Sequence, residues 1–333
     1  MKKDLGIFIL LIVLCVIVSI LNPRFLSAYN LQNEARLVGM FGIFGIGLGL
    51  VIITGGIDLS VGSVFALLGV LLAMMLAQHH WPWPLAVLAV LVAATVLGLI
   101  HAFLIVKVRL QPFIVTLCGL LLYRGVARFI AKDETKGFGN AEYGILRSLV
   151  VRNLDVNTHI GLGFWDGHIV VPMPFVILVI IAVVMWIVIH KSVYGRYLFA
   201  VGRNEEAARY SGINSKLIIG SSYVLCMVLT GISGIIFALD TNSISASDFG
   251  LSYELYGIAA AVLGGCSLRG GEGSIVGIVI GTALLQVLQN IVNLLGIPSS
   301  LNFAVMGAVI LAGVMVDQVL SQRRRKRVAK ILA

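Results

Sequence analysis

Long apolar runs alternate with short polar breaks along nearly the whole chain. They fall at Leu5–Leu21, Leu37–Thr54, Leu59–Ala77, Pro84–Val106, Pro112–Ala131, Val170–His190, Leu217–Leu239, Leu255–Gly265, Ser274–Leu295 and Leu301–Leu320. About 20 apolar residues in a helix cross the ~30 Å hydrocarbon core, so each run reads as a span, except the eighth, which is too short to cross alone. The pattern predicts an all-α polytopic membrane protein of about ten helices, some broken or short. It forms one domain: a bundle over 5–320, a polar loop at 132–169, a polar segment at 191–216 and a basic tail at 321–333. The first run follows Met-Lys-Lys but is longer than a signal-peptide core, and more membrane-embedded chain follows it. A retained span is expected.

Composition agrees with the pattern. Of 333 residues, 59% are hydrophobic and only 12% charged, too much apolar surface for a soluble fold of this length. The net charge of +9 is laid out by topology rather than for nucleic acid. Lys2, Lys3, Lys107, Arg109, the segment from Lys191 to Lys216 and the tail Arg323–Arg327 share one side of a ten-span arrangement. The loop from Lys132 to Ile169 has no positive excess and falls on the other side. The positive-inside rule then puts both termini in the cytoplasm. The tail meets anionic lipid headgroups or serves as a stop signal. Trp81 and Trp83, with His79 and His80, fit an interfacial belt. Cys15, Cys118, Cys226 and Cys266 lack metal-ligand spacing and read as small apolar residues.

Two runs break the helical pattern. In Val51-Ile-Ile-Thr-Gly-Gly-Ile-Asp-Leu-Ser-Val-Gly-Ser63 the double glycine ends one helix, and Asp58 or Ser60 is suited to cap the next. The Asp58 carboxylate would then lie at a positive helix end. Val262-Leu-Gly-Gly-Cys-Ser-Leu-Arg-Gly-Gly-Glu-Gly-Ser274 echoes it. Interrupted helices in matching positions mark many transporters, although one echo is also what chance supplies.

Ionisable groups inside a membrane are costly and tend to have a task. Arg124 and Arg128 share a helix face, placed either to snorkel or to act as a buried pair. His101 is read as a packing histidine. Glu254 begins the eighth span. Gln286, Gln289, Asn290 and Asn293 recur at helical spacing on one face, which must meet water or another helix. With Asp58, Ser60 and Glu254, these four are the candidate residues of a translocation path.

Between Lys191 and Lys216 lies a polar, Ala-rich stretch. Asn204 can cap a short helix Glu205–Tyr210 with two acids in its first turn, and Gly212 can stop it. By itself such a helix reads as a connector.

Three long motifs add a resemblance. GGIDLSVGS at Gly55–Ser63, GRYLFAVGRNEEAARYSGI at Gly195–Ile213 and YELYGIAAAVLGGCSLRGGEGSIVGIVIG at Tyr253–Gly281 resemble the permease subunits of bacterial ABC sugar importers of the ribose type. The likeness runs from about Leu37 to Asp317. It implies an inner-membrane permease that pairs with a second copy or a related chain. It also implies a cytoplasmic ABC ATPase partner and a periplasmic sugar-binding protein. This chain itself would bind no cofactor, ATP and Mg being used by the ATPase. The resemblance further implies that the segment with Gly202, Asn204, Ala207, Ala208, Ser211 and Gly212 is a coupling helix seated on the ATPase. On that basis Gly202→Trp or Ser211→Trp should uncouple transport and leave the protein in the membrane. One departure stands out: where that family usually has Glu-Leu-Asp, this chain has Glu254-Leu255-Tyr256.

The chain carries no Walker A motif, so its energy must come from a partner. It is expected to pass a monosaccharide or sugar-like solute by alternating access. The rival reading is a secondary transporter, which would need a buried carboxylate relay, with Asp58 the obvious candidate. An enzyme ranks last, because no nucleophile, acid–base or metal motif is present.

Overall fold

The computed structural model describes residues 2–139, 143–156 and 169–298, with isolated positions between 301 and 315. The tenth run, Leu301–Leu320, and the basic tail lie largely or wholly outside the described residues.

Two apolar helices open the chain, α1 (Lys2–Leu21) and α2 (Ala28–Ile53). After the first break come α3 (Val61–Ala73), α4 (Trp83–Ala102) and α5 (Pro112–Ala131). Short π-helical turns prolong α3 to Gln78 and α4 to Lys107. A short helix α6 (Gly144–Val151) precedes α7 (Met173–His190). Two polar helices, α8 (Val193–Arg203) and α9 (Glu205–Tyr210), lead into α10 (Ser215–Thr241), α11 (Tyr253–Leu263) and α12 (Ile275–Leu294). Seven of the described helices are long and apolar enough to span, and α1 and α11 are shorter apolar helices. With the tenth run undescribed, this is the predicted polytopic all-α fold.

The helix α2 starts at Ala28, earlier than the apolar run that begins at Leu37. Ser27 caps it by accepting from Asn30 N–H, and the polar residues of its first turns find partners. Arg36 pairs with Asp240 at 2.9 Å, and the Asn30 and Asn290 amides bond each other. Polar residues of this kind continue a helix once neighbouring helices satisfy them.

The core is built around α2, which is buried along most of its length. Small residues let neighbours close in: a Cβ at Gly39 would strike the Pro174 backbone of α7, and one at Gly47 would meet Cys226 of α10 at 3.0 Å. Close backbone approach of this sort is how helices gain packing energy in lipid, where the tails are as apolar as the side chains. By contrast α4, α5 and α7 turn leucines, valines and isoleucines outward, among them Leu88, Leu121 and Ile180. These form the lipid-facing belt.

Two small antiparallel ladders lie at the end of the bundle opposite α8 and α9. β1 (Lys136–Gly137) pairs with β4 (Ser243–Ile244), with Lys136 opposite Ile244. β2 (Asn153–Val156) pairs with β3 (Ile169–Pro172). The loop at 132–169 is thus partly structured, and it is tied to the segment that follows α10.

Candidate functional site

Both glycine breaks occur where expected, and they touch. The α2 helix ends at Ile53 and the chain runs non-helically to Ser60. The second break, between α11 and α12, turns through Gly265, Gly270 and Gly271, all at positive φ. Gly271 N–H donates to the Ile53 carbonyl at 2.8 Å. Into the same junction comes the last turn of α8. A Cβ on Gly202 would collide with the Ile53 oxygen and the Gly271 nitrogen, and one on Gly271 would strike Arg203. Gly202 is therefore a packing position of this junction. A tryptophan there would disrupt the junction before it tested any partner.

The helix Glu205–Tyr210 builds as predicted, and a second polar helix, α8, precedes it. Ser192 caps α8 through Gly195 N–H, and Asn204 caps α9 through Ala207 N–H at 2.9 Å. Gly212 stops α9 at φ +83°. Ser211 Oγ donates to the Ala207 carbonyl, and Ser215 Oγ bonds Glu205, fixing α9 to the start of α10. Asn204, Ala207, Ser211 and Gly212 are exposed, whereas Ala208 is buried against the permease. Arg209 and Tyr210 close α9. Tyr210 is 83% exposed, with the Arg209 guanidinium 5.8 Å from its ring centre. An arginine–aromatic pair thus ends the short polar helix.

Asp58 is fully buried, and its surroundings differ from the expected cap. Ser60 occupies the N-cap position of α3 without a side-chain cap bond. Its N–H and hydroxyl both donate to Asp58 Oδ1, at 2.9 and 2.7 Å, because the turn at 58–60 brings the carboxylate back on itself. Asp58 Oδ2 lies 3.4 Å from His101 Nδ1, and His101 Nε2 bonds the Tyr123 hydroxyl at 2.9 Å. His101 is thus a partner to a buried carboxylate rather than a plain packing residue. The group joins the first break to α4 and α5.

Arg124 does not snorkel. Its guanidinium donates to the carbonyls of Ala246, Phe249 and Gly62, at 3.1, 2.6 and 3.0 Å. It thereby holds the non-helical stretch after β4 against the start of α3. Glu254 is buried nearby, and Arg124 interacts with its charge. Arg128, four residues on, is exposed and pairs with Asp133 at 2.6 Å.

The polar face of α12 divides. Asn290 turns to Asn30 of α2, and Gln286 is buried, its Oε1 without a hydrogen-bond partner among the described residues. Gln289 and Asn293 instead line an open cleft of ≈ 380 Å³ between α2, α10, α11 and α12. Asp58 and Ser60 are not among its lining residues, and Glu254 is not either, although its neighbours Tyr253 and Tyr256 are.

Comparison with known proteins then assigns the chain. Residues 30–314 match the family described as "Branched-chain amino acid transport system / permease component". The ribose import permease protein RbsC of Bacillus subtilis is 38% identical over 317 residues, covering 95% of this chain and 93% of the relative. RbsC of Escherichia coli K12 is 39% identical over 309 residues, covering 93% and 92%. The galactofuranose transporter permease protein YtfT of Escherichia coli is 32% identical, covering 87% and 79%. No solved structure matches. A bundle with two abutting helix breaks, a polar helix pair at one end and this match over nearly its full length make one assignment: the chain belongs to the permease family of ABC importers that includes the ribose import permeases.

Proposed function

We propose that this protein is the membrane path of an importer for a monosaccharide, driven by separate ATPase subunits that dock on α8 and α9. One observation carries the coupling. The exposed polar helix α9 continues directly from α8, whose Gly202 is wedged into the contact between the two breaks. A push on α9 therefore bears on the ends of α2 and α11 together. In this reading α8 and α9 face the cytoplasm with both termini. The permease pairs with a second copy, a periplasmic binding protein delivers the sugar, and ATP and Mg are consumed by the ATPase. ATP-driven closure brings the coupling helices together and turns the path toward the binding protein, and hydrolysis resets it. The monosaccharide class is carried over from the relatives that are ribose, galactofuranose and D-allose transport permeases.

Of the residues assigned to the ATPase contact, Asn204, Ala207, Ser211 and Gly212 keep that role, with Arg209 and Tyr210 added. Gly202 and Ala208 support the helix from beneath.

The test is uptake in proteoliposomes holding the permease, with and without its ATPase and binding protein. Uptake should require all three components and ATP. Accumulation that persists without ATP and follows a proton or sodium gradient would overturn the reading in favour of a secondary transporter.

A further inference from the structure

We propose that the cleft beside α11 is a transit site for a single uncharged monosaccharide, in which Tyr256 and Gln289 set which sugar passes. The proposal rests on the importer reading above. Its volume of ≈ 380 Å³ is near the small end of the ~300–1,000 Å³ range of small-molecule sites, enough for one monosaccharide with a few waters.

Its walls have two characters. Phe41, Tyr253 and Tyr256 supply rings that brace one another: Phe41 lies 5.0 Å from Tyr253 and 5.8 Å from Tyr256, and the two tyrosines stand at 90°. Mutually tilted rings are held in place by their own packing and present a fixed apolar surface. The C–H face of a sugar ring stacks on such a surface. Gln289 and Asn293 face the same space with amides, which both donate and accept, as sugar hydroxyls do. Tyr256 is hydrogen-bonded to Gln289, so ring and amide are oriented as one unit.

The charge at the wall is already paired. Asp240, the one carboxylate among the described residues of the wall, is held by Arg36 at 2.9 Å, and Arg36 is held in turn by Asn33 at 2.7 Å. The pair sums to zero, which leaves a cleft of hydroxyls, amides and rings. A neutral polyol needs neither charge of that pair and is served by the hydroxyls and amides alone. The open shape suits passage, because contacts that are few and shared with water let the solute leave.

The experiment uses the complete importer in proteoliposomes, with ribose, galactose and allose each delivered by a binding protein that carries it. ATP hydrolysis and sugar uptake are measured side by side for wild type, Tyr256→Ala, Tyr256→Phe and Gln289→Ala, with lipid-facing Leu121→Ala as control. Sugar moved per ATP should fall about tenfold in Tyr256→Ala and in Gln289→Ala, the equivalent of ~1.4 kcal/mol. Tyr256→Phe keeps the ring and frees the amide, so it should retain uptake with a changed preference among the sugars. Unchanged sugar-to-ATP ratios and preferences in all three variants would overturn the site. A parallel fall of uptake and hydrolysis without rescue by Tyr256→Phe would also overturn it, showing a structural role. If wild-type uptake of these sugars needs no ATP and follows an ion gradient, the importer reading itself fails, a result separate from any variant effect.

Discussion

The amide of Gly271 donates to the carbonyl of Ile53 at 2.8 Å, so two chain breaks more than two hundred residues apart in sequence form one joint. The Ile53 carbonyl belongs to the last turn of α2, where helix carbonyls lack internal partners. The second glycine loop supplies the missing donor, and Gly202 of α8 closes over the contact.

Gly202→Trp is expected to destabilise the whole protein by overpacking, by about 1–3 kcal/mol or more. Ser211 is exposed at the far end of α9, so Ser211→Trp should leave the thermal midpoint in detergent unchanged and abolish stimulation of the ATPase. A melting curve and an ATPase assay on both variants decide it. A normally folded Gly202→Trp protein would mean that the junction is looser than its geometry indicates.

Asn204→Ala should remove the cap of α9 at a cost of about 1 kcal/mol, with Asn204→Ser or Asn204→Asp close to neutral. The readout is amide hydrogen exchange over 205–210, paired with ATP-dependent uptake. If α9 stays protected in the alanine variant, its order comes from contacts such as Ser215 with Glu205 and not from the cap.

Replacing His101 by alanine leaves the Asp58 carboxylate buried without its neighbour. Leaving a buried polar group less well satisfied typically costs about 1–3 kcal/mol. Asp58→Asn should be milder, because the amide oxygen still accepts from Ser60 and no charge is stranded. The double variant should therefore be more stable than His101→Ala alone. Thermal denaturation in detergent tests the order, and additive effects of the two changes would argue against direct coupling.

Arg124→Lys is expected to fail as a substitute. One ammonium has no planar fork to reach Ala246, Phe249 and Gly62 together. Losing even one charge-assisted bond to a half-buried carbonyl costs about 1.5–3 kcal/mol. Protease sensitivity of the 245–252 stretch should rise in Arg124→Lys and more so in Arg124→Met. Equal resistance in all forms would mean that this stretch is held by its apolar contacts.

The spans, both breaks and the capped helix Glu205–Tyr210 could be read from the chain because each has a local cause. Apolar length sets a span, a glycine pair ends it, and Asn204 three residues before Ala207 makes a cap. What the sequence hid was pairing across space. His101 looked like a packing residue because Asp58 lies in the non-helical break more than forty residues earlier. Arg124 looked like an interfacial residue because its acceptors are backbone carbonyls, which no side-chain pattern reveals. The α12 amides share one face in sequence, yet Asn290 and Gln289 part company because α2 presents Asn30 to one and the cleft opens beside the other. Gly202 is placed by the sequence with the coupling segment alone, since crowding around a glycine leaves no mark in composition.

The two-residue ladder of β1 and β4 has a mechanical consequence. It clips the chain leaving α5 to the chain leaving α10, while Arg124, on α5 itself, grips the stretch that follows. That stretch leads to Leu251, part of the cleft wall. A load placed on the loop beyond α5 thus reaches the wall through two short rigid links, one of backbone and one of a single guanidinium. The far end of the bundle has its own lever on the cleft, separate from the one at Gly202.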